Sequence, residues 1–151
     1  MVRNDIILTD QGREKMNTKT TNEILHDHDL RITPQRVWVY EYLCTHHTHP
    51  DADEIYEALL QDGHNVTRAT VYNVLQALVK RRLINEVKAD STRTRYDALV
   101  EPHGHFICYN CNKIYDFDVN LLNFSGLNGF ETLQKDIYFS GVCNKCKNIL
   151  K

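Results

Sequence analysis

Apolar residues recur every three or four positions over the first half of the chain and at closer, alternating intervals over most of the second. From Thr21 the pattern predicts a helix through Ile24, Leu25 and Leu30, closing at the turn Arg31-Ile32-Thr33-Pro34. Thr33 and Pro34 read as the N-cap and first residue of a second helix. That helix runs through QRVWVYEYLCTHH, with Val37, Val39, Tyr40, Leu43 and Cys44 inward, and His49-Pro50 ends it. Asp51 or Asp53 caps a third helix, ADEIYEALLQ, with Ile55, Tyr56 and Leu59 at helical spacing and Asp62-Gly63 as its stop. A fourth starts at the cap Thr67 and turns Ala69, Val71, Val74, Leu75, Leu78 and Val79 inward, leaving Arg68, Tyr72, Asn73 and Gln76 on the other side.

Two alternating segments follow, LINEVKAD and TRTRYDALV, joined by the polar turn Asp90-Ser91-Thr92. Helices followed by a basic two-stranded hairpin predict a winged helix-turn-helix over residues 21–98, whose last helix enters the DNA major groove. Residues 1–20 have weak periodicity and read as an arm. Residues 99–102 read as a hinge. From 103 to 151 the pattern changes to short strands, HFICYN, KIYDFDV and KDIYFSGVC, with an apolar segment Leu121 to Leu127 between the last two. The fold class expected is therefore α+β: a winged helix followed by a small α/β dimerisation domain with a structural zinc. About 50 residues bury little apolar surface alone, so a metal staple and a second subunit are expected.

With 42% hydrophobic and 25% charged residues in 151, the composition excludes a large multidomain enzyme, wholesale disorder and a membrane protein. No apolar run approaches the roughly 18 residues that span a bilayer. The N-terminal stretch lacks the apolar core of a secretory signal, so a cytoplasmic location is expected. The net charge of −2 does not suggest a nucleic-acid partner, but its distribution does. Residues 66–95 hold Arg68, Lys80, Arg81, Arg82, Lys88, Arg93 and Arg95 against Glu86 and Asp90, a local charge of +5, leaving −7 for the rest. That asymmetry suits a phosphate backbone, and the outward Arg, Tyr, Asn and Gln of the fourth helix suit base edges. A plain solvated face is the competing reading.

Four of the five cysteines form two C-x-x-C pairs, Cys108/Cys111 and Cys143/Cys146, with 31 residues between them. Paired thiols at this spacing point to one tetrahedral Zn(II) more than to a redox dithiol, which needs only one such pair. Cys44 reads as core packing. A second constellation comprises His49, Asp97, His103, His105 and Asp116. On a strand, His103 and His105 share a face. Nitrogen and oxygen donors without sulfur suit Fe(II) or Mn(II) rather than structural zinc. The alternative is that the two strand histidines face solvent and His49 is only a helix end. His26, His28, His46 and His47 read as surface residues.

Several runs together resemble the ferric uptake regulator family of bacterial metal-dependent repressors: Arg31-Ile32-Thr33-Pro34-Gln35-Arg36, His49-Pro50, Ala52-Asp53-Glu54-Ile55-Tyr56, Ala69-Thr70-Val71-Tyr72-Asn73, His103-Gly104-His105-Phe106-Ile107-Cys108 through Cys111, and Gly141-Val142-Cys143 through Cys146. The resemblance covers residues 20 to 147. It implies a homodimer on a palindromic double-stranded DNA operator, and no membrane partner. It also implies DNA contacts at Arg68, Thr70, Tyr72, Asn73, Gln76, Arg93 and Arg95. Within the family the sequence is most similar to the peroxide-responsive branch, whose regulatory ligand pattern falls on His49, Asp97, His103, His105 and Asp116. Asp116 discriminates, because iron- and zinc-sensing members usually carry Glu there. The mechanism implied is oxidation of His49 or His103 by hydrogen peroxide at bound Fe(II), in a stoichiometric sensor and not an enzyme. The alternative is an iron- or manganese-responsive repressor of the same fold without peroxide sensing.

The chain departs from the family pattern in places. The segment from Phe117 to Gly129 is short and rich in Asn and Gly, and Arg68 stands where a small or apolar residue is common. No histidine follows His105, so a further metal site that some members build from a later His is incomplete here.

Overall fold

The computed structural model describes residues 19–88, 93–99, 101–119, 126–131 and 135–149, with the backbone of 7–8 and 14–15. The expected wing turn at Asp90-Ser91-Thr92, Asn120, Asn123 and most of the Leu121 to Leu127 segment lie outside the described residues, as does the rest of the arm before Lys19. The chain divides into two units, Met1–Val100 and Glu101–Lys151.

In the first unit, β1 (Ile7–Leu8) pairs antiparallel with β2 (Glu14–Lys15), ahead of four helices: α1 (Thr21–Asp27), α2 (Pro34–Thr45), α3 (Ala52–Gln61) and α4 (Arg68–Lys80). Every helix begins on a side-chain cap. Thr20 and Glu23, and Asp51 and Glu54, form reciprocal capping boxes; Thr33 accepts from the Arg36 N–H and Thr67 from the Thr70 N–H. Three of the helices end alike. Asp29, Gly63 and Arg82 adopt left-handed backbone, and the next residue returns its N–H five residues back: Leu30 to Leu25, His64 to Leu59 and Leu83 to Leu78. In the first and third of these the closing leucine is itself buried, so the helix stop also contributes to the core.

That core runs from Leu25 and Leu30 through Val39, Leu43, Ile55, Leu59, Val71, Val74, Leu75 and Leu78 to Ile84 and Tyr96. Helix α4 packs on both α2 and α3. Ala69, expected inward, is exposed, because it sits in the first turn of α4 before the helix reaches its neighbours. Val37, Cys44 and Tyr56 are half-buried at the rim. Strands β3 (Asn85–Val87) and β4 (Arg95–Asp97) form the antiparallel wing, pairing Asn85 with Asp97, Glu86 with Tyr96 and Val87 with Arg95. Both are shorter than their alternating patterns suggest; Leu83 and Ile84 are drawn into the helical core instead. Helices followed by this hairpin make a winged helix-turn-helix.

The second unit is a three-stranded sheet in the order β6-β5-β7, with β5 (His103–Cys108) central, β6 (Ile114–Asp118) antiparallel to it and β7 (Tyr138–Gly141) parallel. A short helix α5 (Asn144–Ile149), absent from the periodicity reading, follows Cys143. Gly104 pairs with Phe117, whose ring lies over it so closely that a Cβ would enter only if the ring moved, and that ring stacks on Phe139 at 5.1 Å between centroids.

Candidate metal centres

Strand alternation gives β5 two chemical faces. His103 and His105 lie on one, and Cys108 lies on the other. Strand β6 continues the division, since Asp116 is opposite His105 and Tyr115 is opposite Phe106. Hard and soft donors are thus kept on opposite sides of one sheet.

On the sulfur side, the donor atoms of Cys108, Cys111, Cys143 and Cys146 all lie within 4.8 Å of one another. Cys108 ends β5, Cys111 closes the turn to β6, Cys143 follows β7 and Cys146 rides on α5. None of the cysteines is in a disulfide. Four sulfurs bonded at about 2.3 Å to a tetrahedral zinc stand about 3.8 Å apart, and Cys111 Sγ lies 3.8 Å from Cys143 Sγ. The Cys143 N–H donates to Cys108 Sγ at 3.3 Å, as knuckle amides do toward thiolates. The Tyr115 hydroxyl, hydrogen-bonded to Cys143, brings that thiol down to about 6. Burial beside the other sulfurs pushes Cys146 up to about 12. These donors fit zinc.

On the other face, His103 Nδ1 lies 2.7 Å from the Glu101 carbonyl. Donation to that oxygen sets the tautomer that leaves Nε2 as the lone-pair nitrogen, the usual arrangement behind a ligand imidazole. His103 Nε2 and His105 Nε2 are 2.9 Å apart. Asp116 Oδ1 lies 3.8 Å from the first and 3.7 Å from the second. Donors bonded at about 2.1 Å to one ion stand between about 3.0 Å and 4.2 Å apart, according to the angle. This set fits a divalent ion, and its imidazole and carboxylate chemistry suits Fe(II) or Mn(II). Tyr138 on β7 stacks on the His105 ring, 5.6 Å between centroids, a contact that periodicity alone does not reveal.

In the first unit His49 and Asp97 come together. His49 Nε2 is 3.9 Å from Asp97 Oδ2, and the two residues are 2% and 5% exposed. Asp97 Oδ1 accepts the Leu99 N–H at 2.8 Å, which fixes the carboxylate. His49 does not end the second helix as expected. α2 stops at Thr45, and His49 lies beyond it in left-handed backbone with φ 53°.

The expected DNA-facing residues divide by environment. Tyr72, Asn73 and Gln76 are exposed on α4, with Gln76 Nε2 reaching Glu86 on the wing at 3.4 Å. Thr70 is half-buried and shares a hydroxyl contact with Thr67. Arg68 is paired with Asp53 and Glu57 and stacks over Tyr56 at 4.5 Å. Arg93 pairs with Asp51 at 3.0 Å. Arg95, whose side chain is 17% exposed, pairs with Glu54 at 3.3 Å. His26, His28, His46 and His47 are exposed, and Cys44, half-buried against the core, has its thiol pushed up to about 11 by burial.

A winged helix in one chain with a thiolate tetrad and separate imidazole–carboxylate donors defines a metal-responsive regulator of transcription. The ferric uptake regulator family matches residues 27–140, and the chain belongs to that family. It is 36% identical over 124 residues to the peroxide-responsive repressor PerR of Staphylococcus aureus strain Mu50, covering 79% of this chain and 84% of the relative. Its fold is similar to that of the Vibrio cholerae ferric uptake regulator, with a TM-score of 0.71, 21% identity, and coverage of 82% of this chain and all of that one. The iron-containing ferric uptake regulator of Francisella tularensis is also similar, with a TM-score of 0.64, 25% identity, and coverage of 78% and 95%. No helix among the described residues is long and apolar enough to cross a membrane.

Proposed function

We propose that this chain is a homodimeric, metal-dependent repressor that binds a palindromic operator and senses hydrogen peroxide. In this reading zinc is held by Cys108, Cys111, Cys143 and Cys146, and one regulatory ion by His49, Asp97, His103, His105 and Asp116. The observation that carries it is the sulfur-free set on β5 and β6, with Asp116 within 3.8 Å of both strand imidazoles. The relation to the Staphylococcus aureus peroxide-responsive repressor supports the choice of signal. Residues 21–98 serve as the DNA-binding domain, 99–102 as a hinge and 103–151 as the dimerisation domain, behind an N-terminal arm over 1–20. Phe130, Phe139, Val142 and Ile149, all exposed on so small a unit, favour a partner copy. Tyr72, Asn73 and Gln76 face DNA, with Thr70 at the edge of that face and Arg68 and Arg93 beside it.

Fe(II), if held by these ligands, would supply the redox chemistry that activates hydrogen peroxide. The His49 or His103 ring would give up the two electrons, exchanging a C–H for one peroxide oxygen, while the other oxygen leaves as water. An oxidised imidazole is a weaker donor, so the chain's grip on the ion is lost and with it the DNA-competent state. The same ligands loaded with Mn(II) hold the protein on DNA and stay unoxidised. Each sensing event consumes the ring, so the protein is stoichiometric rather than catalytic.

The test is operator binding by fluorescence anisotropy with Fe(II)- and Mn(II)-loaded protein, before and after peroxide, followed by peptide mass analysis. Release of the Fe(II) form alone, with one added oxygen on the His49 or His103 peptide, is expected. If both forms hold DNA and no histidine is oxidised, the protein responds to metal supply instead.

A further inference from the structure

We infer that Arg95 is a positioning residue for the metal ligand His49 and not a contact to DNA phosphate; the inference rests on the assignment of His49 as a ligand given above. His49 occupies left-handed backbone, φ 53°, which a non-glycine residue keeps only where its surroundings hold it there. Helix α2 has already ended, so the hold comes from the wing. One nitrogen of the Arg95 guanidinium donates to the His49 carbonyl at 3.2 Å and to Glu54 Oε2 at 3.3 Å. The neighbouring Tyr96 N–H donates to the Pro50 carbonyl at 3.0 Å, and Asp51 bridges to Arg95. Glu54 is itself fixed, because the same Oε2 accepts the Asp51 N–H at 2.8 Å in the α3 capping box.

Strand alternation places Arg95 and Asp97 on one face of β4. Asp97 faces the His49 ring while Arg95 holds the His49 backbone, so a single strand face grips the ligand at both ends. Exposure separates the two wing arginines. Both pair with an acid, but the Arg93 side chain beside Asp51 is 63% exposed and within reach of a phosphate, whereas Arg95, between Glu54 and the His49 carbonyl, is 17% exposed.

The experiment titrates Mn(II) into the full zinc-loaded chain, reading free Mn(II) by electron paramagnetic resonance, for wild type, R95Q, R95K and H49A. The salt dependence of operator binding at saturating Mn(II) is measured alongside, and circular dichroism and zinc content check folding. R95Q is expected to weaken Mn(II) binding by about 10- to 100-fold, as loss of a partner behind a ligand does, with an intermediate loss in R95K. The slope of log affinity against log salt stays at the wild-type value. R95Q with wild-type Mn(II) affinity and a slope reduced by about one unit, the signature of a lost phosphate contact, overturns the inference. If R95Q does not fold, R95K decides: an intermediate Mn(II) loss with an unchanged slope supports the role, and wild-type Mn(II) affinity overturns it. H49A separates the two levels. Wild-type Mn(II) binding by H49A overturns the ligand assignment and this inference with it, whereas weak binding by H49A beside normal binding by R95Q overturns only the role of Arg95.

Discussion

Removing the zinc should unfold the second unit and leave the first intact. Glu101–Lys151 is 51 residues, and at about 0.05 to 0.15 kcal/mol per residue a domain of that size is stable by about 3 to 8 kcal/mol. Structural zinc in small domains contributes an apparent 10 to 16 kcal/mol or so, which exceeds everything else the unit can offer. Its packing shows why. Among the described residues of this unit the buried apolar side chains are Cys108, Val119 and Cys143, and two of those three belong to the thiol tetrad. The winged helix, by contrast, has a continuous core from Leu25 to Tyr96. Hydrogen exchange on zinc-loaded protein and on protein treated with a strong chelator distinguishes the units. The His105 amide, bonded to Ile137, and the Cys108 amide, bonded to Lys113, should lose protection on chelation, while α2 and α4 amides keep theirs. Retention of β5 protection in zinc-free protein would refute the argument.

Three further outcomes follow from particular contacts. Leu75→Ala, at a fully buried position of α4, should cost about 2 to 5 kcal/mol by chemical denaturation of the winged helix without changing zinc content. Gly104→Ala should displace the Phe117 ring from its stack on Phe139 and cost about 1 to 3 kcal/mol of overpacking; an unchanged melt of the second unit would contradict the close approach. At pH 8 the Cys44 thiol, pushed from 9.0 to about 11, carries roughly one hundredth of the thiolate of an ordinary cysteine. Its alkylation in the folded protein should be slower by that factor, rise about tenfold per pH unit below 11, and reach the peptide rate on denaturation.

Much of this was legible from local rules. The caps Thr33, Asp51 and Thr67, the stop at Gly63, most of the buried face of α4 and the alternation of β5 are properties of short segments, and capping and burial follow them closely; the Thr20 cap of α1 was missed. The stops at Asp29 and Arg82 were not legible, because their left-handed residues are not glycine and only the returning hydrogen bonds define them. The six residues of α5 carry too little pattern to announce a helix. The thiolate tetrad could be read from spacing, since two C-x-x-C pairs leave few alternatives. The surroundings of His49 could not: Arg95, Glu54 and Pro50 meet it through backbone geometry and through a strand more than forty residues away. Arg68 and Arg93 show the same limit from the other side. Both were legible as positive charge, but their acidic partners on and before α3 are a tertiary fact.

The order of strands in the sheet has a consequence for synthesis. β5 is made first, yet it is completed by β7, which pairs parallel to it and arrives only some thirty residues later, just before Cys143 and Cys146. The last two thiolates therefore leave the ribosome some thirty residues after the first two, when the winged helix has had time to fold as an independent unit. Zinc can be captured by the full tetrad only after β7 and α5 have been made. A truncated product would keep the winged helix but lack half of the tetrad, and with it the sheet that carries His103, His105 and Asp116. Such fragments could not acquire a stable second unit, so the placement of two cysteines after β7 makes zinc capture wait on the whole β5–β7 sheet.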